Sequence, residues 1–416
     1  MQRDCLIVGL GYVGLPIAVR AAEVGHRVTG VDVMPDKVNA INGGCSHVED
    51  VSNERLAAVI RSGALTARIA NGTKTPFTIA LITVPTPVDH LKKPDLTYII
   101  KAAEYIAVNM DGGETVVLES TTYPGTTEDI VAKVIRDIAH LEPGKDYHLG
   151  YSPERINPGD TKHTFENVPK IVSGVDAESL KDIQEFYDTL VDTTVPVSSP
   201  RAAELAKVFE NTFAQVNIAL VNELALVCSD LGLDVDEVLD AAATKGHAIM
   251  RFRPGPGVGG HCLKVDPLYL TWMRREHHGK AFQFAELADE INGSMPAHVV
   301  SRARALLLQR KVRLWESRIM VLGVAYKPGV ADTRESPALD AVRLLRDAGA
   351  TVQALDPHVN TMDDAELAAK EAGSHDLVII TTNHPEFDYD LIREGAVQIL
   401  DTRNCYPQGT EKVAKL

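Results

Sequence analysis

A glycine-rich turn near the start of the chain constrains its fold more than any other feature. An apolar run is followed by Gly9, Gly11 and Gly14 in the spacing G-x-G-x-x-G, and then by an Ala-rich helical pattern. Between a strand and a helix, such glycines allow a tight turn and close approach to a pyrophosphate, whose charge the helix N-terminus stabilises. This pattern predicts a dinucleotide-binding α/β domain whose cofactor-binding turn also includes Tyr12 and Val13.

The next strand patterns predict further cofactor contacts. The second strand ends at Asp32, whose carboxylate can accept hydrogen bonds from both ribose hydroxyls and would repel a 2′-phosphate, which favours NAD over NADP. Lys37 could lie near the adenine or a phosphate, or be a solvated helix lysine. Thr83 and Pro85 follow a later strand, at the carboxyl end where ligands bind in open α/β sheets, so we expect both at the cofactor.

The order of strand and helix patterns predicts an α/β protein with three parts. At 416 residues the chain is too long for one ordinary core. Strands and helices alternate in residues 1–198 and again in 314–416, which predicts two Rossmann-like, doubly wound domains that are structurally alike. Residues 199–313 have mostly helical patterns, including a run of about 30 residues from Pro200. We expect this middle region to contain a long helix that connects the domains and supplies a dimer surface.

Bulk composition excludes several function classes. The net charge of -15 argues against nucleic acid or an anionic membrane as the main partner. No apolar run is long enough to predict a membrane span. The five cysteines are odd in number and widely scattered, which predicts neither a disulfide framework nor a metal site. The cytoplasm is the expected compartment.

One thiol lies in an unusual setting. The run Pro-Gly-Pro-Gly-Val-Gly-Gly-His-Cys-Leu-Lys-Val-Asp-Pro occupies residues 254–267 and brings Cys262 and Asp266 close together. Its density of glycine and proline predicts a loop. A nucleophilic thiol beside a nicotinamide indicates an aldehyde-level intermediate that is held covalently and oxidised again, so an acid is the expected product. His261 is adjacent to the thiol and is expected to be structural, because neighbouring side chains in an extended chain point in opposite directions.

Other candidates lie at strand ends and on the long helix. Thr121, in Glu-Ser-Thr-Thr-Tyr-Pro-Gly-Thr-Thr, could approach the nicotinamide, order a water or cap a turn. Glu154, in Tyr-Ser-Pro-Glu-Arg, could be a general base or a salt-bridged loop residue. Lys207 and Asn211 are one helical turn apart and could stabilise an oxyanion, whereas from the residues alone a solvated helix face is the more common explanation.

Taken together, these motifs resemble the UDP-sugar 6-dehydrogenase family. The runs GLGYVGLP, TVPTP, STTYPGTT, YSPERINPGD and GGHCLKVDP occur in the family's order over essentially the whole chain. The resemblance implies oxidation of the C6 hydroxymethyl of a UDP-hexose to a carboxylate with two NAD and one water. Cys262 would form a thiohemiacetal and then a thioester, Lys207 and Asn211 would stabilise oxyanions, Asp266 and a water near Thr121 would handle protons, and Glu154 would assist hydrolysis.

The resemblance also implies residues that bind the cofactor phosphates and the UDP-sugar. Arg334 resembles an arginine that reaches the cofactor phosphates. The expected substrate contacts, besides Glu154, Lys207 and Asn211, are Arg155, Gly259, Lys327 and Arg403. Either Arg251 or Arg253 is expected to contact the substrate from the neighbouring subunit of a homodimer.

One departure from the UDP-glucose enzymes bears on the substrate. Arg155 follows Glu154, and Pro158 stands where those enzymes have a second Glu, a pattern similar to members that act on UDP-N-acetylhexosamines. UDP-N-acetylglucosamine is the expected substrate, with UDP-N-acetylmannosamine and UDP-glucose as alternatives. Two other classes stay open: a two-electron 3-hydroxyacid dehydrogenase, which needs neither the thiol nor the third part, and a non-catalytic protein that binds NAD or a nucleotide sugar.

Overall fold

A computed structural model describes residues 2–71, 74–89, 92–155, 162–247, 249–407 and 409–416 of the chain. Pro158 and the side chain of His261 lie outside the described residues. The chain divides into two compact units, Met1–Glu210 with Trp272–Gly279 and Asn211–Thr271 with Lys280–Leu416.

The sheet of the first unit is mostly parallel. Its described strands are β1 (Asp4–Val8), β2 (Arg27–Asp32), β3 (Leu65–Ile69), β4 (Ile79–Ile82), β5 (Thr115–Leu118), β6 (His148–Tyr151), β7 (Lys170–Gly174) and β8 (Thr194–Pro196), in the order β3-β2-β1-β4-β5-β6-β7-β8. All neighbours pair in parallel except β6 and β7, which are antiparallel. The chain returns from β6 to β7 without a described crossover helix, and β7 lies antiparallel to β6.

Both faces of this sheet are buried under helices. Alternate residues of β1 enter separate cores, Ile7 on one face and Leu6 on the other, as the two-residue period of a strand requires. The helices of this unit are α1 (Gly14–Glu23), α2 (Pro35–Asn42), α3 (Asn53–Arg61), α4 (Thr97–Ala107), a π-helix (Thr126–Val131), α5 (Ala132–Ala139) and α6 (Ala177–Tyr187).

In the middle of the chain the described residues form four helices: α7 (Pro200–Leu231), α8 (Val235–Ala243), α9 (His261–His278) and α10 (Gln283–Gln309). The long helix predicted from Pro200 is confirmed as α7. By length and composition alone α7 could cross a membrane, a test that core helices of other proteins also pass, and 39% of its most apolar stretch is buried within the protein. The fully buried carboxylate of Glu204 and the buried Lys207 on this helix fit a core helix better than a lipid-facing one.

The predicted loop at 254–267 was wrong in its second half. Helix α9 begins at His261 and contains Pro267. The last glycine, Gly260, has φ +80° and lies immediately before the helix. The glycines and prolines at residues 254–260 obscure the start of α9 in the sequence. Pro267 lies in the second turn of α9, where the helix accommodates it. Cys262 therefore lies in the first turn of a helix.

The second unit contains an all-parallel sheet of five described strands, β9 (Arg318–Leu322), β10 (Thr351–Leu355), β11 (Leu377–Ile380), β12 (Ile399–Asp401) and β13 (Val413–Lys415), in the order β10-β9-β11-β12-β13. Their core includes Ile319, Val321 and Leu377 on one face and Met320 and Val378 on the other. The helices that accompany this sheet are α11 (Pro337–Asp347), α12 (Asp363–Glu371) and α13 (Tyr389–Gly395), with short 3-10 turns at Leu314–Glu316 and Ala372–Ser374.

The two sheets repeat one local design, as the alternating patterns predicted. In each, the first strand is followed directly by a glycine of positive φ, Gly9 (98°) or Gly323 (84°). In each, a threonine from the end of a neighbouring strand donates to the carbonyl of that glycine, Thr83 at 2.6 Å and Thr381 at 2.5 Å. The glycines are needed because a Cβ at Gly9 would lie 2.8 Å from Thr83 O, and one at Gly323 would lie 2.3 Å from Thr382 O.

Candidate functional site

The glycine turn of the first unit fits a dinucleotide. A Cβ at Gly14 would lie 1.9 Å from Gly9 O, whereas nothing lies within 4 Å of a Cβ built at Gly11. The turn therefore has no room for a side chain at Gly14, whereas the space beside Gly11, next to the N-terminus of α1, is open. Val13 precedes that helix without a side-chain cap, and Tyr12 is exposed. Backbone N–H groups at such a helix end are ready donors for a pyrophosphate.

Asp32 is held firmly at the end of β2. Its carboxylate accepts hydrogen bonds from Leu10 N at 3.0 Å, Met34 N at 3.0 Å and Lys37 Nζ at 2.8 Å. Burial acts to raise the pKa of Asp32, but the bonds from Lys37 and the two backbone groups outweigh it and lower that pKa. Lys37 is ion-paired with the carboxylate predicted to bind ribose, so it is not a freely solvated helix lysine.

The ends of β4 and β5 carry the predicted nicotinamide residues. Thr83 is buried and donates to Val8 O at 3.0 Å, so it locks the glycine turn as well as lining the strand end. Pro85 is exposed. Ser120 donates to Val84 O at 2.7 Å, which ties the two strand ends together, and Thr121 follows it half-buried.

The end of β6 carries Glu154. Its carboxylate accepts from Arg155 N at 2.6 Å and lies 3.9 Å from Lys170 Nζ. Arg155 reaches the other way, to Glu210 at 2.7 Å and to the carbonyl of Pro169 at 2.7 Å. Both residues were expected to contact substrate, and in this chain each also takes part in internal bonds of the first unit.

The buried carboxylate of Glu204, one turn before Lys207 on α7, was not among the sequence candidates. It accepts hydrogen bonds from Gly125 N at 2.5 Å, Thr127 N at 2.9 Å and Thr127 Oγ1 at 2.7 Å. These donors belong to the N-terminal end of the π-helix, so Glu204 fixes α7 to the segment that carries Thr121. The expected alternative for Lys207, a solvated helix face, was wrong because the side chain is 9% exposed.

In the second unit, three predicted catalytic residues come together. Cys262 is exposed in the first turn of α9, where a helix N-terminus stabilises a thiolate. Asp266 follows one turn later and is 1% exposed. Asn211 of α7 donates its side-chain amide to Asp266 Oδ2 at 2.5 Å. The group supplies a nucleophile, a buried carboxylate and an amide that orients the carboxylate.

The chain before Cys262 packs against the loop that precedes α11. Gly260 N donates to Arg334 O at 3.1 Å, and Lys264 pairs with Glu335 at 2.8 Å. A Cβ at Gly259 would lie 2.8 Å from both Pro337 and Tyr326. Gly259, expected as a substrate contact, is thus also required for close packing of the cysteine segment.

Sequence reasoning missed the asparagine that anchors this segment. Asn222 of α7 accepts from Gly255 N at 2.9 Å and donates to Asn292 of α10 at 2.8 Å. Both asparagines are buried. Buried polar residues on an otherwise apolar helix face are the signal that would have identified them.

The predicted phosphate-binding residue Arg334 and the predicted UDP-sugar residues Lys327 and Arg403 lie in the second unit. Arg334 pairs with Asp332 at 2.6 Å, and Lys327 Nζ lies 5.7 Å from the ring centre of Tyr326. Arg403 donates to Thr381 O at 2.7 Å. Together with Arg253 and Asp401, Arg403 lines a small cavity.

Arg251 has its own partners within the chain. It pairs with Asp236 at 2.9 Å and with Asp240 at 2.8 Å. The expectation that it contacts substrate from a neighbouring subunit would require these pairs to be shared or exchanged.

One group in the described part of the chain has metal-ligand residue types close together: His358, His384 and Glu386. The ring of His384 accepts from Gly329 N at 3.2 Å and bonds Asp356 Oδ2 at 3.0 Å. Because both ring nitrogens are occupied, the group is a hydrogen-bonded network of the fold, and we assign it no metal.

Comparison with family models covers both units. Models of the UDP-glucose/GDP-mannose dehydrogenase family match at residues 3–191 for the NAD binding domain, 201–294 for the central domain and 320–408 for the UDP binding domain.

Curated relatives carry two different substrate names. The UDP-N-acetyl-D-glucosamine 6-dehydrogenase of Pseudomonas aeruginosa is 35% identical over 390 residues, 92% of this chain and 90% of that protein. The UDP-N-acetyl-D-mannosamine dehydrogenase of Pyrococcus horikoshii is 35% identical over 384 residues, 92% of this chain and 89% of that protein. A solved structure of the UDP-D-ManNAc dehydrogenase from Pyrococcus horikoshii covers 99% of this chain and 98% of its own, with a TM-score of 0.90 and 32% identity.

Proposed function

The chain belongs to the UDP-glucose/GDP-mannose dehydrogenase family, and we propose that it oxidises the C6 hydroxymethyl group of UDP-N-acetylglucosamine to a carboxylate. NAD is its cofactor, and the turn at Gly9 with the carboxylate of Asp32 would hold it. When bound, NAD accepts a hydride from carbon. The remaining chemistry is assigned to side chains of this protein.

The observation that carries the proposal is the setting of Cys262. An exposed sulfur in the first turn of α9, one turn before the buried Asp266, suits attack on an aldehyde better than a structural role. The alcohol first loses two electrons and two protons to give the aldehyde. The sulfur then adds to the aldehyde carbon and a proton passes to the aldehyde oxygen, which gives a thiohemiacetal. The thiohemiacetal loses two more electrons and two protons and becomes a thioester.

The final step releases the acid. Water adds to the acyl carbon, and the carbon–sulfur bond breaks with its electron pair on sulfur. We assign the stabilisation of oxyanions to Lys207 and Asn211, proton transfer to Asp266 and a water near Thr121, and assistance of the hydrolysis to Glu154. Arg155, Gly259, Lys327, Arg403 and one of Arg251 and Arg253 are proposed to bind the UDP-sugar, and Arg334 the cofactor phosphates.

The choice of the glucosamine epimer rests on the run Tyr-Ser-Pro-Glu-Arg and on the names of relatives, which include both epimers. UDP-N-acetylmannosamine is the principal alternative, and UDP-glucose a weaker one. We also propose a cytoplasmic homodimer about α7, where Leu205, Phe209, Phe213, Leu220 and Val227 are exposed in the single chain.

The test is the stoichiometry of NADH formed per sugar consumed. Purified protein with limiting UDP-N-acetylglucosamine and excess NAD should give two NADH and one acid. One NADH with an aldehyde product would overturn the four-electron reaction and favour a two-electron dehydrogenase, and binding without turnover would favour a non-catalytic protein. Parallel assays with UDP-N-acetylmannosamine, UDP-N-acetylgalactosamine and UDP-glucose decide the substrate by their kcat/KM.

A further inference from the structure

A buried ion pair in the first unit belongs to none of the roles assigned above. Lys170, the first residue of β7, lies 2.6 Å from the carboxylate of Glu119, and their side chains are 3% and 0% exposed. The hydroxyl of Tyr187 also donates to Glu119. Removing two charges from water is costly, and a buried pair is seldom worth more to stability than an apolar pair of the same volume. The position of the pair indicates another role.

Lys170 binds the segment that carries Glu154. Its ammonium donates to Pro153 O at 2.9 Å and lies 3.9 Å from Glu154 Oε2. The return contact is made by Arg155, whose guanidinium donates to Pro169 O at 2.7 Å. The chain on either side of Glu154 is therefore fastened to the start of β7 at two points, and the carboxylate faces a buried positive charge.

Glu119 connects the same ammonium to the other candidate strand end. It directly follows β5 and precedes Ser120 and Thr121. Burial raises the pKa of the Glu119 carboxyl, while the charge and hydrogen bond of Lys170 act to lower it. One lysine thus holds the segments of Thr121 and Glu154 together.

The ammonium group of Lys170 is enclosed on several sides. The ammonium lies 5.3 Å from the ring centre of Tyr187 and 5.6 Å from that of Phe165. A cation enclosed by two rings, a carboxylate and a carbonyl is fixed in position, which is what a group that positions another residue requires.

We propose that Lys170 is a positioning residue for Glu154 in the hydrolysis of the acyl-Cys262 thioester, an inference that rests on the proposed function. Water adds its oxygen to the acyl carbon, one water proton passes to Glu154, and sulfur leaves with the electron pair of the carbon–sulfur bond. Lys170 takes no part in these transfers. It holds the backbone of Pro153 and attracts the carboxylate, so that Glu154 stays where it can receive the proton.

The experiment is Lys170→Met in the full chain, with rapid-mixing measurement of NADH and mass spectrometry of quenched protein. The variant should still form two NADH per site in the first turnover. It should then turn over about 10- to 100-fold more slowly, the effect of displacing a catalytic group, with acyl-Cys262 accumulating. Lys133→Met, which removes an exposed lysine paired with Asp137, is the control and should behave as wild type.

A second measurement separates positioning from general damage. If Lys170 acts through Glu154, adding Lys170→Met to Glu154→Gln should slow hydrolysis no further. An additive loss, an equal loss of the first-turnover burst, or a wild-type rate in folded Lys170→Met would each overturn the inference.

Two further outcomes complete the design. Should Lys170→Met not fold, the variant Lys170→Met/Glu119→Leu removes both charges and should fold with the same hydrolysis defect; failure of both to fold would make the cluster structural and overturn the inference. If wild type does not give two NADH and one acid per sugar, the proposed function itself fails. If wild type does so and Lys170→Met hydrolyses the thioester at the same rate, only the role of Lys170 is contradicted.

Discussion

The side-chain amide of Asn211 donates to the carboxylate of Asp266 at 2.5 Å, which joins α7 to α9 one turn after Cys262. Both are short, buried or half-buried side chains, so the bond fixes the direction of the carboxylate relative to the thiol of its own helix. Hydrogen bonding of a general base by a third group is the usual way in which nucleophile and base are kept aligned.

Replacing Asp266 by Asn should leave the fold intact and reduce kcat about 100-fold, because the group that handles protons beside Cys262 is lost. Steady-state kinetics and thermal unfolding of the variant check this. Glu276→Gln changes an exposed carboxylate near the end of the same helix and should leave kcat unchanged. Wild-type kcat in Asp266→Asn would remove Asp266 from the chemistry.

Asp32 should set both the affinity for NAD and its discrimination from NADP. Asp32→Ala removes an acceptor for the ribose hydroxyls, so the KM for NAD should rise about tenfold or more, while the KM for NADP falls or stays constant. Asp36→Ala, an exposed carboxylate in the first turn of α2, is the matched control. An unchanged ratio of kcat/KM for the two cofactors would contradict this role.

Glu204 should make stability depend on pH. Burial raises the pKa of Glu204 to about 7, above its ordinary value of 4.5, although hydrogen bonds from Thr127 and Gly125 act against the rise. Between pH 4.5 and 7 the folded chain then binds more protons at this site than the unfolded chain, so the free energy of unfolding falls as pH increases.

Urea unfolding of wild type and Glu204→Gln across that pH range measures the effect. The difference in free energy of unfolding, wild type minus variant, should fall with pH by up to about 1.4 kcal/mol per unit. Glu178→Gln, at an exposed position in the first turn of α6, should show no such trend. If the difference between wild type and Glu204→Gln does not change with pH, the pKa of Glu204 in the folded chain is not raised above its ordinary value of 4.5.

Replacement of Asp356 should weaken binding of the UDP-sugar and leave binding of NAD unchanged. Its carboxylate accepts from Val324 N at 2.7 Å and Ala325 N at 2.8 Å, and it bonds His384, so it shapes the loop that carries Lys327. Asp356→Ala leaves these donors buried without a partner. It should cost about 3 kcal/mol of stability and raise the KM for UDP-sugar with little change in NAD affinity. Asp363→Ala, an exposed carboxylate on α12, is the control; equal loss of NAD affinity would contradict the assignment.

Asp32 and Asp356 also show how far sequence reasoning reached. Asp32 is the last residue of the second strand of its sheet, and Asp356 directly follows the second strand of the other. Leu10 N and Val324 N donate to these two carboxylates in the same way. The likeness of the two α/β parts was predicted from the strand and helix patterns. The hydrogen bond between His384 and Asp356 was not predicted, because it joins residues 28 positions apart and leaves no pattern in the local sequence.

The remaining differences have similar causes. The glycines before α9 hid its start. The π-helix at Thr126–Val131, whose first N–H groups donate to Glu204, also has no signal in the local sequence. The ion pair between Lys170 and Glu119 joins residues 51 positions apart. A lysine at the start of a strand is usually solvated, so the sequence around Lys170 does not indicate a buried charge. Motifs located the strand ends, but only the packed structure shows which charges are buried between them.

The central claim is that Cys262 holds the sugar covalently, and the rate of acid formation by Cys262→Ala tests it most directly. Cys45→Ala, which removes another exposed thiol, is the control and should form acid at the wild-type rate. We predict that Cys262→Ala forms no measurable acid while still binding NAD. Acid formation by Cys262→Ala at the wild-type rate, with two NADH per sugar, would contradict the covalent mechanism.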